Sequence, residues 1–102
     1  MTTLHSVNKS PFEKNSLEQC LQRATDGGSL ILIEDGVTAA VANTAFAARL
    51  ADESKRLKLY VLESDLAARG FADAQLVDGV SKVDYTGFVE LVTQHERVHS
   101  WL

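Results

Sequence analysis

Apolar and polar positions change their spacing several times along the chain, and each change marks an element. Leu30, Ile31, Leu32 and Ile33 form a continuous apolar run without alternation. Such a run suits a parallel strand covered on both faces, so it predicts strand over residues 29–33. Leu17, Cys20, Leu21 and Ala24 recur at i, i+3, i+4, i+7, which predicts a helix over residues 16–25. Asn15 or Ser16 is its candidate N-cap, and Gly27-Gly28 stops it. Residues 2–7 read as a short strand, and Lys9-Ser10-Pro11 as the loop after it.

The second half repeats the alternation. Glu34-Asp35-Gly36 reads as a turn, and the Ala-rich stretch 37–56 as helix in one or two pieces, with Asn43 as a break. Residues 57–62 predict a strand, followed by a short helix over 66–69 that Ser64-Asp65 caps and Gly70 ends. Residues 71–79 read as irregular and 80–83 as strand. Tyr85, Phe88, Val89 and Val92 give a last helix, about 85–97, an apolar stripe. Residues 99–102 are left as either an edge strand or a docked tail. Strands separated by helical patterns predict an α/β fold: a small three-layer parallel sheet of four to five strands.

At 102 residues the chain is expected to form a single domain over 1–102. It is 45% hydrophobic and 24% charged with one proline, an ordinary globular composition. The net charge is -4 at pH 7, with lysines and arginines scattered. Nucleic-acid affinity rests largely on neutralising phosphates, so direct nucleic-acid binding is not expected. No apolar run is long enough to span a bilayer. The N-terminal stretch shows no signal-peptide core, and one cysteine forms no internal disulfide. A cytoplasmic protein is the expectation.

Few side chains carry obvious chemistry. Cys20 is the one thiol, and it falls mid-helix on the apolar stripe. Reactive thiolates favour helix N-termini and nearby cations, so a small buried hydrophobe is the plainer role for Cys20. Asp35 ends the best strand, where ligands collect in open α/β sheets, but Asp-Gly is also an ordinary turn. Ser64-Asp65 holds the strand-to-helix corner, where a thiolate would gain from the helix dipole, yet no cysteine stands there. His95 and His99, four apart on the expected helix, make at most half of a metal site, and nothing at a suitable spacing completes it. His5 reads as a packing or interface residue. The chain has no G-x-G-x-x-G, Walker A or G-x-S-x-G pattern. No cofactor or metal is called for.

The motifs together resemble the DsrH/TusB family. They are Leu4-His5 with Ser10-Pro11, the run LILIEDGVTAAV over 30–41, and Leu59-Tyr60-Val61-Leu62. Asp65-Leu66-Ala67-Ala68-Arg69-Gly70, Asp84-Tyr85 with Phe88-Val89, His95 and Trp101 complete the set. The resemblance covers nearly the whole chain. It implies a fold related to DsrE and DsrF proteins. It further implies an α2β2γ2 heterohexamer with DsrE/TusD-type and DsrF/TusC-type subunits. That assembly relays persulfide sulfur to a DsrC/TusE-type acceptor. The principal active cysteine of such assemblies lies on the DsrE/TusD-type subunit, at the strand-to-helix turn. This chain lacks it and therefore resembles an accessory subunit.

The resemblance further implies that Cys20 is a feature of the branch that oxidises stored sulfur, which makes intracellular sulfur oxidation the first expectation and Cys20 a candidate persulfide carrier. The alternatives are a TusB-type subunit in 2-thiouridine modification of the tRNA wobble uridine, and a stand-alone ligand-binding α/β module using Asp35 and Ser64. A small domain with Ala-rich helices leaves apolar surface for partners, with Phe46, Phe71 and Trp101 as candidate anchors.

Overall fold

The computed structural model describes residues 2–102. Five strands, β1 (Thr3–Val7), β2 (Ser29–Leu32), β3 (Lys58–Leu62), β4 (Val80–Val83) and β5 (Arg97–Trp101), form one sheet in the order β4-β3-β2-β1-β5. Every pairing is parallel. The helices are α1 (Ser16–Arg23), α2 (Ala47–Glu53), α3 (Glu63–Ala68) and α4 (Tyr85–Gln94), with a 3-10 helix at Glu34–Ala40. The expected α/β architecture is the one observed, and the tail left open in the sequence is the edge strand β5.

The chain steps in one direction from β1 to β4 and then returns across the sheet to β5. With right-handed crossovers, that reversal puts α4 on the face opposite the other helices. The packing agrees. Val7, Leu30, Leu32, Leu59 and Val61 meet Leu17, Cys20 and Leu21 of α1, Val37 of the 3-10 helix, Leu50 of α2 and Leu66 of α3 in one core. Leu4 and Ile31 point the other way, to Leu91, Phe88, Tyr60 and Val83. The apolar run of β2 is thus buried on both faces, as its lack of alternation predicts.

Several boundaries differ from the expectation. The turn at Glu34-Asp35-Gly36 is the start of a 3-10 helix, and the α-helix of 37–56 shrinks to Ala47–Glu53. Gly36 passes so close to the end of β1 that an added Cβ would lie 2.3 Å from the Val7 carbonyl oxygen. A tight 3-10 turn accommodates that approach. Asn43 breaks the stretch as expected, with φ of 68°.

Ser64 and Asp65 lie inside α3 rather than ahead of it, and Leu62 holds the N-cap position. Ser16 does not cap α1 either: its hydroxyl donates to the Leu102 carbonyl at 3.0 Å. Asn15 takes the N-cap position without a side-chain bond. The last helix stops at Gln94, not at Arg97, which belongs to β5.

Candidate functional site

Three places hold side chains of chemical interest: the carboxyl ends of the central strands, the α1 face, and the β1–β5 edge. At the strand ends, Asp65 bonds the Glu34 backbone N–H through Oδ2 at 2.7 Å, serving the start of the 3-10 helix. That satisfies an N-terminal donor of a different helix from the one Asp65 sits in. Arg69 Nε donates to Asp35 Oδ1 at 2.9 Å, and the Thr38 hydroxyl donates to the Asp35 carbonyl at 2.9 Å. Asp35, a candidate for ligand binding, and Asp65, expected to cap its own helix, are therefore engaged in holding the 3-10 helix to α3. Ser64 is exposed on the first turn of α3. Asn8, just after β1, has a buried side-chain oxygen with no hydrogen-bond partner.

On α1, Cys20 has 0% exposure and packs within the main core. Burial pushes its thiol up to about 12, against a weaker opposite pull from Arg56. The thiolate, not the thiol, is the nucleophile, so this environment holds Cys20 in its unreactive form. Arg56 serves the helix instead. It donates to the Leu21 and Ala24 carbonyls, both at 2.6 Å, and pairs with the buried carboxylate of Glu53. The orphan carbonyls at the end of α1 are thereby satisfied by a cation suited to that end of the dipole. Glu18 on α1 and Arg49 on α2 form a second link.

The histidines separate. His95 terminates α4: its Nδ1 lies 2.7 Å from the Leu91 carbonyl and its Nε2 2.9 Å from Ser29 Oγ. His99 lies on β5, beside His5 in register on β1. The helical His95–His99 pair expected from spacing does not exist, because the chain turns into strand between them. Among the described residues no three potential ligands gather around a metal position. His5 accepts from the Trp101 indole N–H at 3.0 Å, His99 stacks on Trp101 at 4.3 Å, and Arg23 lies over the same indole ring.

Apolar surface appears where sequence reasoning did not place it. Phe46, Phe71 and Trp101 pack against the core. On α4, Phe88 and Leu91 cover the sheet, but Tyr85 is 66% exposed, Val89 52% and Val92 38%. Val98 on β5 is exposed as well. The signal was in the sequence: Tyr85, Phe88, Val89, Leu91 and Val92 make a stripe wider than one sheet contact needs. No described helix is long and apolar enough to cross a membrane.

These features define a class, a small all-parallel α/β domain with a buried thiol, Asp35 and Asp65 bonded within the fold, and an exposed apolar face on α4. The family model of DsrH-like proteins matches residues 9–98, and the chain belongs to that family. A protein named TusB from Klebsiella pneumoniae is 39% identical over 98 residues, covering 96% of this chain and 99% of the relative. Protein TusB of Shigella flexneri is 34% identical with the same coverage. The fold is similar to the ychN protein of E. coli, with a TM-score of 0.78 at 18% identity over 98% of this chain and 99% of that one. It also matches MTH1491 of Methanobacterium thermoautotrophicum, a protein of unknown function, with a TM-score of 0.77 at 9% identity over 96% and 97% of the two chains.

Proposed function

We infer that the chain is a TusB-type accessory subunit of a cytoplasmic sulfur-relay complex that supplies sulfur for 2-thiouridine at the tRNA wobble position. The observation that carries this reading is the near full-length identity with proteins named TusB. It favours the tRNA branch, the alternative in the sequence-based expectation, over sulfur oxidation, which stood first there. The first place of sulfur oxidation leaned on Cys20, and a thiol buried in the core is explained by packing alone. In this reading TusC-type and TusD-type chains assemble with it, two copies of each subunit. Sulfur travels on the TusD-type cysteine to a TusE-type acceptor, and this chain carries none. The exposed apolar face of α4 supports a role in assembly. The net charge of -4 supports leaving tRNA contact to other components.

Complementation tests the reading. In a bacterial host deleted for its own TusB-type subunit, this chain, co-expressed with its TusC-type and TusD-type partners, restores 2-thiouridine in hydrolysed tRNA. Cys20→Ala restores it equally. Failure of the assembled wild-type complex to raise 2-thiouridine excludes the tRNA branch. Loss of thiolation in an otherwise assembled Cys20→Ala complex makes Cys20 a sulfur carrier.

A further inference from the structure

The β1–β5 edge carries a titratable arrangement that the sulfur-relay reading leaves unused. β5 pairs with β1 along its whole length, and the Ser6–Ser100 and Ser16–Leu102 hydrogen bonds support it, but its side chains anchor it weakly. Arg97, Val98, His99 and Ser100 are exposed, and the half-buried Trp101 is the one large side chain that reaches the core. Elements with few buried apolar contacts are the first to open. What holds Trp101 is specific. Its indole N–H donates to Nδ1 of His5, which is 7% exposed, and His99 lies parallel to the indole, with an interplanar angle of 4°. An indole nitrogen only donates, so His5 Nδ1 must be without a proton, and the neutral ring carries its hydrogen on Nε2.

We propose that His5 is the proton-sensitive catch of β5: protonation removes the acceptor that the Trp101 indole uses among the described residues and loosens the edge strand. The groups facing His5 set the direction. β5 presents His99, 5.8 Å away between ring centroids, and Arg97 two residues before it. α1 contributes Arg23 over the indole, while β2 presents Leu30. No carboxylate among these partners offsets a second positive charge. Burial first, and His99 second, hold His5 below its ordinary value of 6.5.

The docked state therefore binds its proton more weakly than the open state does. Docking is at full strength above 6.5 and weakens as pH falls from there through the docked-state value. Each unit of depression corresponds to about a tenfold weakening at acid pH. Release leaves β1 as an unpaired strand edge, open to another extended segment.

The chain has one tryptophan, so its indole N–H gives a single, assignable proton–nitrogen NMR signal. Titrated from about pH 8 to about pH 5, that signal should lose its hydrogen-bonded shift in a one-proton step below 6.5. Amide protection at Val98–Trp101 should fall with it while β2 and β3 stay protected. His5→Asn keeps an acceptor near the Nδ1 position but does not titrate, and should hold β5 closed throughout. His99→Asn, at an exposed site, should raise the midpoint. An indole signal and β5 protection that do not change with pH overturn the proposal. So does a transition that survives unchanged in His5→Asn, or a midpoint that fails to rise in His99→Asn.

Discussion

Cys20 and Gly36 show how single positions are fixed by surroundings that spacing alone does not reveal. Cys20 sits between Leu17, Leu21 and the sheet with no water contact, so its thiol should resist alkylation in the native chain even at mildly alkaline pH. Labelling followed by mass spectrometry should proceed only at the rate of unfolding; rapid stoichiometric labelling of folded protein contradicts the packed role. The side chain is small, so Cys20→Ala should cost only about 1 kcal/mol in a denaturant titration. Gly36 is stricter. An added methyl meets the end of β1, and Gly36→Ala should lower stability by about 1–3 kcal/mol or more. Arg56 ties α1, α2 and the Asp26 loop together. Its removal strands the buried carboxylate of Glu53, so Arg56→Ala should cost about 2 kcal/mol in the same titration.

Among the elements, α4 divides its work between core and surface. Leu91→Ala should destabilise the isolated chain by about 2–4 kcal/mol, because Leu91 fills the layer against Leu4 and Ile31. Val89→Asp should change that stability by no more than about 0.5 kcal/mol, yet abolish association with partner subunits. Equal thermal destabilisation by the two substitutions removes the distinction. The strands and their order of appearance were legible because β2 and β3 are apolar runs of strand length, bounded by Gly or by helical spacing. The ends of helices were not, because contacts distant in sequence set them.

His95 continues the α4 stripe in period, but its ring turns back to Leu91 and across to Ser29, 66 residues away. Ser64-Asp65 looks like a cap, but Asp65 serves the 3-10 helix after β2 instead of its own helix. β5 has mostly exposed positions and no alternation of its own, so only its partner β1 reveals it as strand. For the candidate site, the residue types were visible and their juxtaposition was not. His5, His99 and Trp101 meet only through the parallel pairing of the two ends of the chain.

At the scale of the whole molecule, the two faces of the sheet are unequally covered. Three α-helices and a 3-10 helix close one face, while α4 alone crosses the other and leaves Tyr85, Val89 and Val92 in water. A domain of 102 residues with this much apolar surface unpaired is suited to permanent association. On the proposed TusB-type reading, the chain is an assembly subunit whose own thiol carries no sulfur. Native mass spectrometry of the chain co-expressed with its TusC-type and TusD-type partners tests this most directly. The account predicts one hexameric species containing two copies of each subunit, into which Val89→Asp does not enter. A wild-type chain that stays a soluble monomer beside a complex of the other two contradicts it.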